Sequence, residues 1–219
     1  MTTPLLVFDL DGTLIDGYAA IGEALSYAME RLGLPPPPDA RVRVMVGYGL
    51  ERLLEQAVGP KLAPQGVRLF RERYAEVAVA GSHLLPGVAE TLAVLRESGY
   101  RMALASNKPA RFSRLILKAK GIARNFFSIE GPDESTPAKP DPTMLRRILE
   151  AAGAPASEGI VIGDMEVDAE FARAAGSRVV LIPNGSRSRD ELASVPADGR
   201  VDSFADLPEW LAAQTRISP

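Results

Sequence analysis

Cysteine is missing from this chain of 219 residues, and histidine occurs once, as His83. Without cysteine the chain has no disulfides, no thiolate nucleophile, no cysteine-ligated zinc and no iron–sulfur cluster. One histidine is too few for a histidine-rich metal site, and it disfavours a Ser-His-Asp catalytic triad. The sequence therefore excludes thiol chemistry and directs attention to other functional side chains.

The chain also lacks an excess of positive charge and long apolar runs. Its formal net charge is −3, which argues against nucleic acid as the main partner, although one pocket could still bind a small anion. No apolar run approaches the roughly 20 residues of a membrane-spanning helix. The N-terminus MTTPLLVFDLDGTL lacks the basic start of a signal peptide. These features predict a cytoplasmic protein with no membrane or nucleic-acid partner.

Short apolar runs alternate with amphipathic segments over most of the chain. Four runs are apolar almost throughout, as buried parallel strands are: Leu5–Phe8, Met102–Ala105, Gly159–Ile162 and Arg178–Ile182. Four helical segments end just before a glycine, the usual C-terminal stop: Val88–Ser98, Phe112–Lys120, Thr143–Ala152 and Val167–Ala175. The alternation predicts an α/β fold with a doubly wound, Rossmann-like parallel sheet.

One stretch, residues 16–82, breaks this alternation with helical patterns and no convincing strand. Candidate helices are Tyr18–Leu32, Ala40–Val46, Leu50–Val58 and Pro64–Ala80. A helical block inserted after the first strand predicts a second, smaller domain. We therefore predict a catalytic core of residues 1–15 and 83–219 and an all-helical cap domain of residues 16–82.

Two acids, Asp9 and Asp11, directly follow the first predicted strand. They point to the same side if the strand continues, at the edge where open α/β sheets bind ligands. Two close carboxylates repel each other unless a cation or a shared proton intervenes. Mg²⁺ suits such an oxygen site. The alternative interpretation is a turn that is acidic by chance.

Polar side chains follow later elements as well. Ser106 and Asn107 end the second predicted strand and could bind phosphate oxygens, or cap a helix. Lys139 lies in a proline-bracketed loop, where it could bind an anion or simply face solvent. Asp164 and Asp168 lie one helical turn apart after another strand, where helix capping is the alternative role. Together these groups suit a phosphoryl group and a divalent ion.

The chain resembles the haloacid dehalogenase superfamily of phosphohydrolases in four motifs and in their order. The motifs are Asp9–Leu14, Ser106-Asn107, Lys139–Pro142 and Gly163–Asp168, and a helical insertion follows the first. The resemblance covers essentially the whole chain and implies a helical C1 cap. Within the superfamily, Val46–Glu51 and Leu85–Val88 look most like phosphoglycolate phosphatases.

The resemblance implies a role for each motif residue. Asp9 would be the nucleophile that forms an aspartyl-phosphate, and Asp11 the general acid and then the general base. Mg²⁺ would be bound by Asp9, by the backbone carbonyl of Asp11 and by Asp164, with Asp168 supporting it or binding through water. Three further side chains would bind the phosphoryl oxygens: Ser106, Asn107 and Lys139. The implied activity is a Mg²⁺-dependent phosphatase acting on a small phosphorylated metabolite.

Relatives with other chemistry remain to be distinguished. Asp11 disfavours dehalogenases, which need no acid there, and phosphonate-cleaving relatives, which also use a cap lysine; Lys61 is the only lysine within residues 16–82. A sugar phosphomutase keeps all four motifs and stays open as an alternative. A non-catalytic phospho-receiver or binding module is the alternative from another class, and the helical insertion argues against it.

The cap is expected to select the substrate. Backbone N–H groups around Gly47 could bind a substrate carboxylate, and Arg52, one turn into the next helix, could assist. A flexible turn and a solvated arginine explain the same residues equally well. Phosphoglycolate is the leading substrate, with other small phosphate esters or pyrophosphate as alternatives, and the protein is predicted to be a monomer or homodimer.

Overall fold

The computed structural model describes residues 3–133 and 135–216. Eight strands are found in this part of the chain: β1 Leu5–Phe8, β2 Ile15–Asp16, β3 His83–Leu84, β4 Arg101–Ala105, β5 Ser128–Glu130, β6 Gly159–Gly163, β7 Arg178–Leu181 and β8 Gly199–Arg200. The α-helices there are α1 Tyr18–Arg31, α2 Asp39–Met45, α3 Leu50–Val58, α4 Ala63–Val77, α5 Val88–Glu97, α6 Ala110–Ala119, α7 Thr143–Ala152, α8 Glu166–Ala175, α9 Arg189–Ala193 and α10 Leu207–Arg216.

Six strands form one parallel sheet in the order β5-β4-β1-β6-β7-β8. In the centre, Leu5 of β1 pairs with Arg101 of β4 on one side and with Gly159 of β6 on the other. The chain builds β4 and β5 on one side of β1 and then β6, β7 and β8 on the other. Because the strand order reverses at β1, a crevice opens at the carboxyl end of that strand.

Both faces of the sheet are covered, as the apolar strands require. Leu6 and Phe8 belong to a hydrophobic cluster with buried residues of α5, α6 and α10. Leu5 and Val7 belong to a second cluster with buried residues of α7 and α8. Alternate side chains of one strand thus enter opposite layers, since successive side chains point to opposite faces. The prediction of a doubly wound α/β core is confirmed.

Helices α1–α4, which we call the cap, stand between β2 and β3. The four helices predicted for this stretch are all found, with ends shifted by at most three residues. Helix α1 packs mainly against α4, and its buried alanines allow the close approach. An ion pair between Arg73 and Glu23 links the two helices at the surface. The exact limits of the cap domain, residues 16–82, stay a prediction.

An unexpected antiparallel ribbon carries the chain into and out of the cap. It pairs Ile15 with Leu84 and Asp16 with His83. These strands, like β5 and β8, have only two or three residues, so they leave no apolar run that a sequence reading could detect. No helix among the described residues is long and apolar enough to cross a membrane.

Candidate active site

A tight turn after β1 places Asp9 and Asp11 at the crevice. The amide of Asp9 still donates to the carbonyl of Ile162 in β6 at 2.9 Å, so the strand continues to the first acid. Gly12 then has φ +86°, and a Cβ atom there would lie 2.3 Å from Oδ2 of Asp164. Only glycine combines this conformation with so close an approach.

Three carboxylates converge beside this turn. One oxygen from each of Asp9, Asp164 and Asp168 lies within 4.8 Å of the other two. Thr13 Oγ1 donates to Asp164 at 3.1 Å, and the amide of Ser186 donates to it at 3.3 Å. Burial, followed by the charges of Asp9 and Asp168, raises the pKa of Asp164 well above its usual value. An oxygen cluster that repels itself in this way fits a hard divalent cation such as Mg²⁺.

Lys139 lies between two of these acids. Its Nζ atom is 2.7 Å from Oδ1 of Asp9 and 2.7 Å from Oδ1 of Asp168. Burial alone would lower the pKa of Lys139, but the two carboxylates outweigh burial and raise it. The lysine is therefore a fixed buried cation next to Asp9. Asp168 also accepts from the amide of Met165 at 3.2 Å, so it caps helix α8 as well as contacting Lys139, and its role beside a metal stays a prediction.

Asn107 holds the loops around the site together. Its Oδ1 atom accepts from the amide of Lys139 at 2.6 Å, and its Nδ2 atom donates to the carbonyls of Lys139 and Gly47 at 3.1 and 2.8 Å. Both hydrogens of the side-chain amide are thus engaged. Ser106 lines the cavity and accepts from the amide of Lys108 at 3.3 Å. Phosphoryl binding by Ser106 and Asn107 stays a prediction.

Sequence reasoning missed Lys108, which directly follows Asn107. Its Nζ atom lies 2.7 Å from Oδ2 of Asp11 and 2.6 Å from the hydroxyl oxygen of Tyr74. Its position at the end of β4, beside Ser106 and Asn107, was the available signal. Tyr74 offered none, because a tyrosine at helical spacing in α4 resembles a core residue.

In this second ion pair, burial and the contact between the partners shift the pKa values of Asp11 and Lys108 in opposite directions. Burial raises the pKa of Asp11, although the charge and hydrogen bond of Lys108 act against the rise. Burial alone would lower the pKa of Lys108, but the Asp11 carboxylate and the Tyr74 hydroxyl raise it. Burial also raises the pKa of Tyr74. At neutral pH the lysine is therefore charged and the tyrosine protonated.

The two predicted cap residues occupy different places. Gly47 lines the cavity and accepts a hydrogen bond from Asn107. Arg52 is exposed, and its guanidinium carbon lies 4.6 Å from the centre of the Tyr48 ring, outside the cavity wall. The hydroxyl of Tyr48 donates a long hydrogen bond of 3.5 Å to Oε1 of Glu166 in the core. Substrate contacts of Gly47 and Arg52 stay predictions. The geometry favours a contact of Gly47, because Gly47 lines the cavity and Arg52 does not.

Core and cap enclose a cavity of about 750 Å³, which includes its opening to solvent. Its polar end contains the site residues Asp9, Asp11, Ser106, Lys108, Lys139 and Asp168. Much of the remaining wall is apolar and comes from both parts of the chain, with Ile21, Leu53 and Phe70 from the cap and Phe112 and Val167 from the core. A ligand in the cavity would touch both the carboxylate cluster and the cap.

A carboxylate cluster at the carboxyl edge of a Rossmann-like sheet, covered by a helical cap, defines a capped hydrolase. The chain belongs to the haloacid dehalogenase-like hydrolase family, whose model matches residues 3–176. The resemblance seen in the four motifs is thereby confirmed.

The chain is similar to curated phosphatases over nearly its whole length. It is 34% identical over 218 residues to a phosphoglycolate phosphatase of Vibrio parahaemolyticus, covering 95% of this chain and 96% of that protein. It is 33% identical over 217 residues to a phosphoglycolate phosphatase of Rhodospirillum rubrum, covering 94% and 90%. These relatives accord with the prediction of a phosphoric monoester hydrolase.

Solved structures of similar proteins have the same fold. The crystal structure of a predicted phosphoglycolate phosphatase from Haemophilus somnus superposes with a TM-score of 0.88 at 28% identity, covering 96% of this chain and 99% of that chain. A haloacid dehalogenase-like hydrolase from Bacteroides fragilis superposes with a TM-score of 0.85 at 27% identity, covering 94% and 100%. The arrangement of core and cap is thus shared with proteins of this family.

Proposed function

We propose that this protein is a Mg²⁺-dependent phosphatase that hydrolyses a small phosphate monoester through an aspartyl-phosphate at Asp9. The proposal rests on one observation, the set of charged groups that surrounds Asp9. Its carboxylate lines the cavity, 2.7 Å from Nζ of Lys139 and within 4.8 Å of oxygens of Asp164 and Asp168. A nucleophile, a cation and oxygen ligands for a hard ion therefore meet at one point.

The metal would be held by Asp9, Asp164 and the backbone carbonyl of Asp11, with Asp168 beside them. When bound there, Mg²⁺ would neutralise negative charge on the transferring phosphoryl group. The raised pKa of Asp164, caused first by burial and then by the neighbouring carboxylates, supports this assignment. A divalent cation relieves the repulsion that raises it.

The residues themselves account for both halves of the reaction. A carboxylate oxygen of Asp9 attacks phosphorus, and the bond between phosphorus and the ester oxygen breaks. Asp11 donates a proton to the departing alkoxide, and its raised pKa favours the protonated form that this step needs. Asp11 then accepts a proton from the water that attacks phosphorus, and the bond between phosphorus and the Asp9 oxygen breaks, which frees the Asp9 carboxylate and inorganic phosphate. Lys139 stabilises charge on the phosphoryl oxygens in both steps.

Two substitutions test these roles. Asp9→Asn removes the attacking oxygen and keeps the shape, so kcat should fall by a factor of about 10⁴ or more. Asp11→Asn should reduce turnover of an alkyl phosphate by about 10² to 10⁴ and that of p-nitrophenyl phosphate much less, because p-nitrophenolate leaves without a proton. Asp190→Asn, an exposed acid on α9, is the control. Full turnover by Asp9→Asn would contradict the mechanism.

The leading substrate is 2-phosphoglycolate, because the similar curated relatives are phosphoglycolate phosphatases. The test is phosphate release from a panel of small phosphorylated metabolites, with Mg²⁺ and with a chelator. Activity that survives metal removal would contradict the metal assignment. Isomer formation from a hexose phosphate without phosphate release would instead support the sugar phosphomutase, and absence of turnover with every ester would support a binding module.

We also propose a cytoplasmic location and a monomeric or homodimeric state. Light scattering on the purified protein distinguishes these two assemblies from larger ones.

A further inference from the structure

Lys108 is a buried cation in the cavity wall to which the proposed chemistry gives no task. The other cavity lysine, Lys139, is engaged by Asp9 and Asp168. Arg71 lies at the cavity rim, where its half-exposed side chain pairs with Glu51 at 2.9 Å. Lys108, by contrast, is only 8% exposed. Burying an ammonium group is costly, so its position at the ligand end of the cavity calls for an explanation.

Lys108 and Tyr74 present a cation and a hydroxyl donor to the cavity. A lysine ammonium has three donors, and Nζ of Lys108 contacts the Asp11 carboxylate and the Tyr74 oxygen. Both Asp11 oxygens, at 2.9 and 2.7 Å, and the Tyr74 oxygen, at 2.6 Å, are within hydrogen-bonding distance of this nitrogen, so each of its donors has an acceptor. The Tyr74 oxygen accepts from Lys108, so the hydroxyl hydrogen is free to be donated elsewhere. Both residues line the cavity, which gives it a buried cation beside a hydroxyl group that can still donate.

These donors lie next to the position of the leaving group. In the proposed mechanism Asp11 contacts the ester oxygen, and Nζ of Lys108 is 2.7 Å from the same carboxyl group. A substituent two bonds beyond the ester oxygen would therefore come within reach of Lys108. A carboxylate at that distance matches a paired ammonium and hydroxyl donor in both charge and hydrogen bonding.

The neighbouring aromatic rings strengthen this match. Tyr74 stacks on Phe70 at 5.3 Å and meets the Phe112 ring edge-on at 5.0 Å between ring centres. Both contacts restrain the position of the Tyr74 ring and make the wall around its hydroxyl apolar. In such apolar surroundings the attraction between Lys108 and a further carboxylate is stronger than in water.

We infer that Lys108 and Tyr74 bind an anionic group, a carboxylate, that the leaving alcohol carries close to the ester oxygen. The inference rests on the proposed function and defines its substrate class as short phosphoester carboxylates. Lys108 belongs to the core and Tyr74 to the cap, so the carboxylate is bound at the boundary between the two. The pair then selects substrates as well as contacting Asp11.

The experiment compares 2-phosphoglycolate with the phosphate ester of glycolamide, which replaces the carboxylate by a neutral amide of similar shape. The wild-type protein should prefer the carboxylate in kcat/KM. Lys108→Met should reduce that preference by about tenfold to a hundredfold, and Tyr74→Phe by a smaller factor, because hydrogen bonds to charged groups are the stronger ones. Lys118→Met removes an exposed charge from α6, the helix that follows Lys108, and should keep the preference.

Equal losses on both esters would overturn the inference, because they would mean that Lys108 only positions Asp11. Competitive inhibition of the wild-type protein by glycolate and by glycolamide provides a test that needs no variant. Glycolate should bind more tightly, and equal inhibition would also overturn the inference. A wild-type protein that hydrolyses p-nitrophenyl phosphate without preferring the carboxylate would contradict this inference alone. Failure to hydrolyse any ester would contradict the proposed function itself.

Discussion

The ammonium group of Lys139 lies 2.7 Å from the carboxylate of Asp9, and the side chain of the lysine is only 2% exposed. The two residues are 130 positions apart in the sequence. Their contact places a fixed positive charge beside the candidate nucleophile. Because Asp168 contacts the same nitrogen, Lys139 also shields Asp9 from a like charge.

Replacing Lys139 by methionine should impair both activity and stability. The phosphoryl oxygens lose a cation, so kcat should fall by about 10² to 10³. The buried acids lose their partner, so the free energy of unfolding should fall by up to about 3–5 kcal/mol. Steady-state kinetics and denaturant unfolding measure the two effects. Lys118→Met is the exposed control, and a Lys139→Met protein with wild-type kcat would contradict the role given to the lysine.

Replacing Asp164 by asparagine should stabilise the metal-free protein while removing its response to Mg²⁺. The change deletes one charge from a buried cluster whose repulsion raises the pKa of Asp164. The metal-free variant should therefore melt at a higher temperature than the metal-free wild-type protein, because the repulsion among the remaining carboxylates is smaller. Thermal melting with Mg²⁺ and with a chelator tests this against Asp190→Asn. An unchanged Mg²⁺ shift would remove Asp164 from the metal site.

The stability of the metal-free protein should fall as the pH rises. Burial, opposed by Lys139, raises the pKa of Asp168 to about 6, and burial raises that of Asp164 as well. An acid whose pKa is raised in the folded state stabilises it below the unfolded pKa, near 4, and loses that contribution as the pH rises through the folded value. Stability should therefore decline from about pH 4 to about pH 6 as Asp168 ionises, and decline further at higher pH where Asp164 ionises.

Mg²⁺ should reverse this trend, because metal ligands bind as deprotonated carboxylates. The increase in melting temperature on adding Mg²⁺ should consequently be small at pH 5 and larger at pH 8. Melting curves at pH 5, 6, 7 and 8 with and without the ion measure the difference. An equal Mg²⁺ effect at all four values would mean that these acids do not bind it.

Replacing Gly47 by alanine should weaken the contact between cap and core. Gly47 has φ +128°, and a Cβ atom there would lie 2.4 Å from Sδ of Met165. A strained backbone of this kind costs about 1–3 kcal/mol. The loop around Gly47 should therefore shift, and kcat/KM should fall about tenfold. Gly33→Ala is the matched control, because Gly33 has φ +74° with nothing within 4 Å.

Gly33→Ala should cost stability but leave kcat/KM unchanged. Adding Met165→Ala to Gly47→Ala would restore space without relieving the backbone, so recovery should be partial. Equal kinetic effects of the Gly47 and Gly33 variants would show that position 47 has no special part in the site.

Local patterns in the sequence were enough to predict the long elements and the edge of the sheet where the site lies. Buried strands such as Leu5–Phe8 are apolar throughout, and the glycines after α7 and α8 mark their ends, because both signals depend on neighbouring residues only. The same patterns missed the ribbon of β2 and β3, whose two-residue strands exist only because they pair with each other.

What the sequence by itself determined was the identity of the acids and of Lys139, since their residue types and order match a known set of motifs. Only the tertiary structure decided which groups contact Asp11. Lys108 and Tyr74 are 34 residues apart and lie on different parts of the chain, and their 2.6 Å contact depends on how the cap packs on the core. Packing of this kind depends on the shapes of distant side chains, so no local pattern encodes it.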